Sequence, residues 1–230
     1  TGRKIAGRED RGSMVSRPRF LALSEFGPRS LIYHEGRMFR VDKAKLNIHG
    51  SDSISADSSL ATVSARVCTL CGYGHLGDDE NPEPLEDNCE HCHQPLVDEG
   101  RINSLYRIET VETRVQERIS VNEEDRQRQG YDLQTTYRFI PGANGVIEVD
   151  HSNVVSASET IAKLTYSPSA RIWRVNKGWR RRKDKEQLGF YINPITGQWS
   201  KQEDPTKDDD PEAKKEKVDE KQPVQRIVPF

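Results

Sequence analysis

The stretch Tyr131-Asp-Leu-Gln-Thr-Thr-Tyr-Arg-Phe139 alternates large or β-branched side chains at its odd positions with polar side chains at its even ones. Successive side chains of a β-strand point to opposite faces, so a period of two indicates a strand with one buried face. We therefore predict a half-buried strand over residues 131–139, with the aromatic and leucine side chains turned inward.

Shorter strand-like segments lie on both sides of this stretch. Residues 31–34 and 38–41 flank Glu35-Gly36, where glycine is free to adopt positive φ, and this pattern predicts a hairpin. A slip of the period near Thr110 predicts a bulge within one long strand over residues 105–119. Further strands are predicted over residues 60–67, 146–149, 162–166, 170–175, 187–192 and 198–199, and a short helix over residues 122–130. The fold class is therefore mainly β, or β-rich α+β.

Composition limits the class of protein and suggests its boundaries. Of 230 residues only 33% are hydrophobic and 31% are charged, and no apolar run approaches the about 20 residues that a membrane span needs. Residues 200–222 hold nine acidic and six basic residues, a composition that cannot offset the entropy of ordering. We predict a basic linker or arm over 1–19, a β-rich zinc-binding module over 20–199, a disordered charged linker over 200–222 and the start of a further domain over 223–230.

Two cysteine pairs carry the strongest chemical signal. Cys68 and Cys71 are separated by two residues, as are Cys89 and Cys92, and seventeen residues lie between the pairs. This is the spacing of zinc ribbons, because two intervening residues let both thiolates face one ion. We predict a zinc-ribbon-like knuckle insert over residues 66–100. Four protein ligands leave no open position, so the Zn²⁺ is expected to be structural and not catalytic.

Alternatives to this ligand set remain open at this stage. Two disulfides or four free thiols would use the same cysteines, although the absence of a secretory leader favours a reducing, cytoplasmic compartment and a metal. His75, His91 or His93 could replace one thiolate, but we expect these three histidines to be surface residues.

The cysteine insert is acidic. Between Gly72 and Gly100 there is no lysine or arginine, and a four-thiolate zinc adds negative charge of its own. Such a surface repels phosphates, so we expect it to be a structural or protein-contact element. The acidic side chains are Asp78, Asp79, Glu80, Glu83, Glu86, Asp87 and Glu90.

A second candidate site combines positive charge with tryptophan. Residues 171–183 carry seven arginines and lysines, which neutralise phosphates, and two tryptophans, which can stack on unpaired bases. The other interpretation is a hairpin whose tryptophans fill the core, and the pattern does not decide between the two. The predicted nucleic-acid-binding residues are Arg171, Trp173, Arg174, Lys177, Trp179, Arg180, Arg181 and Arg182.

Motifs for catalysis are missing from the sequence. It contains no Gly-x-x-x-x-Gly-Lys-Ser/Thr phosphate loop, no His-Glu-x-x-His pair and no Gly-x-Ser-x-Gly elbow. We therefore predict no ATP hydrolysis by this chain and no catalytic residues in it.

Several stretches, in this order, resemble one group of large proteins. They are Ser16-Arg-Pro-Arg-Phe-Leu-Ala-Leu-Ser-Glu-Phe-Gly-Pro28, Ile32-Tyr-His-Glu-Gly-Arg37, the four cysteines, residues 117–139, Ile172-Trp-Arg-Val-Asn-Lys-Gly-Trp179, Gly189-Phe-Tyr-Ile-Asn-Pro-Ile-Thr-Gly197 and Arg226-Ile-Val-Pro-Phe230. The group is the superfamily 2 DEAD/DEAH-type helicases with a C-terminal cysteine-containing domain of formerly unknown function, including mitomycin-repair and DISARM-defence helicases.

The resemblance covers the region between the helicase motor and that C-terminal domain. It implies zinc at the four cysteines, ATP-driven DNA or RNA translocation by a longer parent protein and a bacterial cytoplasmic setting. ATP and Mg²⁺ would bind only in motor domains that this chain lacks. Expected partners are DNA or RNA, those motor domains and a second defence or repair subunit. The alternative function is a protein-interaction module that binds a partner subunit through the acidic knuckle.

Overall fold

The structure is a computed structural model that describes residues 14–46, 59–78, 80–84, 86–116, 130–200 and 223–230. It confirms a mainly β fold. The elements are α1 (Arg19–Glu25), β1 (Leu31–His34), β2 (Arg37–Lys45), β3 (Val63–Val67), β4 (Gly74–Leu76), a short 3-10 turn (Asp98–Gly100), β5 (Arg101–Tyr106), β6 (Thr110–Gln116), β7 (Tyr131–Phe139), β8 (Asp150–Ser156), β9 (Glu159–Tyr166), β10 (Ala170–Trp179), β11 (Phe190–Ile192) and β12 (Gln225–Pro229).

These strands form four sheets. The largest has the order β11-β12-β5-β3-β4, and a three-stranded sheet has the order β1-β2-β6. The other two sheets are the antiparallel pairs β7-β10 and β8-β9. In the largest sheet β12 runs parallel to β5 and antiparallel to β11, so the last described segment is an internal strand.

Two apolar clusters join three of these sheets, all but the exposed β8-β9 pair. One is aromatic: the ring of Trp179 stacks on that of Tyr131 at 5.0 Å and meets that of Phe190 edge-on at 5.4 Å. Ile192 and Ile227 are fully buried in it, and its other buried members are Val41, Ala44, Tyr106 and Trp199. The second cluster is aliphatic and lies between the largest sheet and β10. Its buried members are Ala65, Val67, Ile102, Leu105, Val175 and Val228.

The strand predicted over residues 131–139 is confirmed as β7, but its two faces do not separate into buried and exposed. Tyr131 and Phe139 are buried, and so is Thr136, which lies on the face expected to be polar. The Thr136 hydroxyl donates to the carbonyl oxygen of Gly72 at 2.7 Å, which satisfies its polar atom inside the protein. Contact with the cysteine knuckle therefore covers the second face.

Several predicted boundaries differ from the structure. The single bulged strand over residues 105–119 is instead two strands, β5 and β6, which pair in different sheets. The slip of period near Thr110 marks the change of sheet. Residues 146–149 are not a strand, because the return strand of that turn begins at Asp150. The helix α1, which begins directly after Pro18, was not predicted.

Residues 223–230 differ most from the prediction of a further domain. Within them, β12 contributes Ile227 to the aromatic cluster and Val228 to the aliphatic one. This segment is therefore part of the same module, and the physical reason is its run of apolar side chains. The predicted helix over 122–130, the arm over 1–19 and the linker over 200–222 lie outside the described residues, apart from Gly130, residues 14–19 and Ser200.

Candidate metal centre

Each cysteine pair lies in a tight turn supported by an antiparallel pairing. β3 ends at Val67, directly before Cys68, and β4 returns from Gly74. The Cys68 amide donates to the carbonyl oxygen of Tyr73 at 2.9 Å. The second pair repeats this turn, because the Cys89 amide donates to the carbonyl oxygen of Gln94 at 2.8 Å. Two similar turns therefore present four thiols to one point.

The residue after each second cysteine has a left-handed backbone. Gly72 has φ +76° and His93 has φ +58°, and the amide of each donates to the carbonyl oxygen of the residue four positions before it at 2.8 Å. Glycine adopts this conformation freely, whereas a residue with a Cβ is strained in it. The first turn has a glycine at this position, whereas nothing in the sequence marks His93 as its counterpart.

The four sulfur atoms have the spacing of a metal site. The Sγ atoms of Cys68 and Cys92 are 3.5 Å apart, those of Cys71 and Cys89 are 3.7 Å apart, and all four lie within 4.8 Å of one another. A disulfide requires about 2.05 Å, so neither contact is a disulfide. Metal–sulfur bonds of about 2.3 Å in a tetrahedron place sulfurs about 3.8 Å apart. The cluster can therefore hold a metal ion such as zinc.

The four thiols can all lose their protons only when a cation lies between them. Burial raises the pKa of Cys71 and of Cys89 above the ordinary thiol value. Burial also opposes ionisation of Cys68, but hydrogen bonds from the backbone amides of Cys71 and Leu70 lower its pKa to about 7. Four thiolates at this spacing repel one another, so full ionisation requires a positive ion, which displaces the protons.

The three nearby histidines do not enter the four-sulfur cluster. His93 is exposed, as expected. The prediction of a surface position is wrong for His75, which is only 1% exposed, because β4 turns its side chain inward beside Tyr73. His91 is half-buried and packs against the rings of Tyr73 and His151, at 5.7 and 5.6 Å.

The knuckle is anchored to β7 by three contacts that the sequence did not reveal. The Tyr137 hydroxyl donates to the carbonyl oxygen of Cys71 at 3.1 Å, one residue from the contact that Thr136 makes with Gly72. Arg138 forms an ion pair with Glu90 at 3.1 Å. Burial and the nearby cysteines raise the pKa of Tyr137, so its hydroxyl remains a neutral donor. Two of these bonds hold the backbone of the first turn, and the third holds the Glu90 side chain of the second turn.

The acidic character of the insert is partly offset. Glu83 pairs with Arg101 at 3.0 Å, and Glu90 pairs with Arg138 as described above. Asp78, Glu80 and Asp87 are exposed, whereas Glu86 is half-buried and Asp79 lies outside the described residues. The carboxylate of Asp78 accepts hydrogen bonds from the amides of Glu80 and Asn81, so it shapes its own loop.

The predicted nucleic-acid residues divide into inward and outward groups. Trp179 is buried in the aromatic cluster and Trp173 is half-buried. Of the two interpretations given for the tryptophans, the core one therefore applies to Trp179. Arg182 donates to Asp132 at 2.9 Å, and Lys177 lies 3.8 Å from the same carboxylate.

The remaining cations lie closer to the surface. Arg174 is half-buried, and its guanidinium donates to the carbonyl oxygen of Phe20 at 2.9 Å. Arg171, Arg180 and Arg181 are exposed. The charged surface of this region is therefore the turn after β10, together with Arg171 near the start of the strand.

No helix among the residues described here is long and apolar enough to cross a membrane. Comparisons of the chain with protein-family models, with curated proteins and with solved structures found no match.

Proposed function

We propose that this chain is a non-catalytic module stabilised by one structural zinc ion held by Cys68, Cys71, Cys89 and Cys92. The observation that carries the proposal is the four-sulfur cluster, whose spacing fits a tetrahedral ion. Four thiolates complete the coordination of zinc, so the ion would organise the two turns and leave no position for a substrate.

We further propose that the module is an accessory region of a larger ATP-dependent helicase in bacterial defence or DNA repair, acting in the cytoplasm. The similarity of the sequence stretches supports this role. The structure is compatible with it in one respect, because the module adds a β-rich, metal-organised unit and contains none of the phosphate-binding motifs that a motor supplies.

The surface proposed to contact nucleic acid is the basic turn, which we define as Arg180, Arg181 and Lys183. It follows β10 directly, and all three side chains are exposed. Exposed guanidinium groups bind phosphate oxygens without a desolvation penalty from burial, and they make affinity strongly dependent on salt. Since Trp179 is buried, this contact would rest on charge and not on base stacking.

The test compares two double variants of equal charge. Arg180→Ala/Arg181→Ala removes two cations of the basic turn, and Arg107→Ala/Arg114→Ala removes two exposed cations elsewhere. Arg182 stays unchanged because its bond to Asp132 is structural. The first variant should lower the slope of log K against log salt for single-stranded DNA by about 1 to 2, while the control keeps the wild-type slope. Equal slopes in all three proteins would refute the nucleic-acid contact.

Protein binding through the acidic knuckle is the second candidate, and the exposure of Glu80 and Asp87 favours it. Charge reversal at these two positions leaves the Asp78 loop contacts intact. Under this alternative, Glu80→Lys/Asp87→Lys abolishes binding to a basic partner or to the helicase motor but keeps DNA binding. Glu109→Lys/Glu159→Lys, which reverses two exposed acids outside the knuckle, serves as the control.

A further inference from the structure

His75 lies at the centre of a cluster that the four-cysteine site does not explain. Its side chain is 1% exposed, and neither ring nitrogen has a hydrogen-bond partner among the described residues. A buried imidazole normally satisfies both nitrogens, because an unpaired polar atom in the interior costs about 1–3 kcal/mol. An unsatisfied histidine therefore indicates that a partner is missing from its surroundings.

Two carboxylates face this imidazole. Ligand atoms of His75, Glu86 and Glu90 all lie within 4.8 Å of one another. The Oε2 atom of Glu86 is also buried and has no hydrogen-bond partner in the described part of the chain. The Oε1 atom of Glu90 accepts from Arg138 at 3.1 Å, but a carboxylate has further lone pairs to offer.

The three groups have the chemistry of a metal site. Neutral imidazole and carboxylate oxygens bind first-row divalent ions, whereas four thiolates favour softer metal ions. A divalent cation would neutralise two carboxylates that otherwise repel each other at close range. The glutamate side chains have three rotatable bonds, so they can close from their present spacing to the about 3.3 Å between ligands that metal bonds near 2.1 Å require.

We propose that His75, Glu86 and Glu90 form a second site for a first-row divalent cation, separate in its ligands from the four-cysteine cluster. Three protein ligands leave at least one coordination position open to water or to an oxygen of a bound molecule. The site joins β4 to the segment that leads into the second cysteine turn. Its occupation would thus fix the acidic loop over residues 77–88 against the zinc turns.

Metal content separates the two sites in the full chain. The protein is first stripped of metal under reducing conditions and then titrated with Zn²⁺ or Co²⁺. We expect two equivalents to bind, the first more tightly. Cobalt in the four-cysteine cluster gives intense sulfur-to-metal charge-transfer absorption, whereas cobalt held by nitrogen and oxygen gives only weak visible bands. The second equivalent should therefore add no charge-transfer intensity.

Glu86→Gln tests the ligand assignment with little change of shape. It should lower the stoichiometry from two equivalents to one and leave the charge-transfer bands unchanged. Glu83→Gln is the matched control, since Glu83 is a nearby exposed carboxylate that pairs with Arg101 and not with His75. The control should retain both equivalents.

His75→Asn offers an independent test, and its charge-transfer bands show whether the knuckle still folds. Loss of the second equivalent with those bands intact supports the proposal. A wild-type protein that binds only one equivalent at saturating metal refutes it, as does a second equivalent that survives Glu86→Gln. Neither outcome contradicts the proposed structural zinc at the four cysteines. Loss of the charge-transfer bands in the wild type would instead overturn the proposed structural zinc.

Discussion

The four-cysteine knuckle and the aromatic cluster reach an ordered interior by different means. In the cluster, Tyr131, Trp179 and Phe190 bury large rings against one another, and about 25 cal/mol per Å² of apolar area holds them. Around the knuckle the buried apolar side chains are few: Tyr73, Cys68, Cys89 and Phe139 of β7. A metal ion at the four cysteines would supply the order that these few apolar side chains do not.

We therefore expect two sources of stability in one short chain, apolar burial in the aromatic cluster and a metal ion at the four cysteines. A structural zinc contributes about 10–16 kcal/mol in small zinc-binding peptides, enough to replace a missing core. The strand β7 nevertheless connects the two regions, because Tyr131 belongs to the aromatic cluster while Thr136 and Tyr137 donate to the first cysteine turn. The extent to which loss of one region disturbs the other is therefore measurable.

Removal of the metal should have the largest effect. Chelation should release the zinc and unfold the knuckle, because the few buried apolar side chains there cannot hold the two turns by themselves. Cys89→Ser should do the same, since it removes one of the four thiolates at a fully buried position. The near-ultraviolet circular dichroism of Trp179 and Trp199 should persist, since their cluster does not contain the site.

Restoring zinc after chelation is the control for that experiment, and it should recover the metal-bound spectrum. Complete loss of the tryptophan signal on chelation would contradict this prediction, because the aromatic cluster would then depend on the ion as well.

Trp179→Ala should have the next largest effect, a loss of about 3–5 kcal/mol in the free energy of unfolding. The substitution leaves a large cavity between Tyr131 and Phe190. Ile172→Ala on the same strand is the control, because Ile172 is 71% exposed and should change stability by no more than about 0.5 kcal/mol. Denaturant unfolding measures both, and similar losses would contradict the burial of this tryptophan.

Tyr137→Phe should lower the zinc affinity several-fold and the free energy of unfolding by about 1 kcal/mol. It removes the hydroxyl that donates to Cys71 and leaves that carbonyl oxygen without its partner. Tyr33→Phe, at a half-exposed ring, is the control. Competition with a chromophoric chelator measures the affinity, and an unchanged value would show that the two regions are energetically independent.

His93→Gly should have the smallest effect and the opposite sign. Relief of the positive φ should raise the free energy of unfolding by about 1–2 kcal/mol. The greater chain entropy of glycine in the unfolded state lowers it by about 0.5–1 kcal/mol, so a slight stabilisation is expected. Gly72→Ala is the reverse experiment and should destabilise the protein by a similar amount. The added Cβ meets no close neighbour, so the cost comes from the positive φ alone. Thermal unfolding of the zinc-bound protein compares the two.

Local pattern predicted part of the fold. The strand β7 and the interruption between the strands predicted over 162–166 and 170–175 follow from local pattern, which neighbouring residues determine. The division of residues 105–119 between two sheets could not be seen in the same way, because partner strands lie far away in the sequence. The position of β12 is the extreme case, since its parallel neighbour β5 lies more than a hundred residues earlier.

The candidate site shows the same limit. Spacing alone identified the four cysteines, because a metal ion imposes a nearly fixed separation on each pair. The burial of His75 and the bonds from Thr136 and Tyr137 arise from contacts between β4 and β7. No local signal distinguishes a histidine turned inward from one in solvent. The helicase role and the nucleic-acid contact stay predictions, and the salt dependence of DNA binding tests the contact.

The placement of β12 also bears on how the polypeptide reaches its native state. Leu105 and Val228 are cross-strand neighbours, so their pairing must close a loop of over a hundred residues. Such closure is entropically costly and slow, and the order β11-β12-β5 cannot assemble before it happens. A fragment cut at residue 200 would leave two strand edges unsatisfied and prone to self-association. The folding unit therefore includes β12.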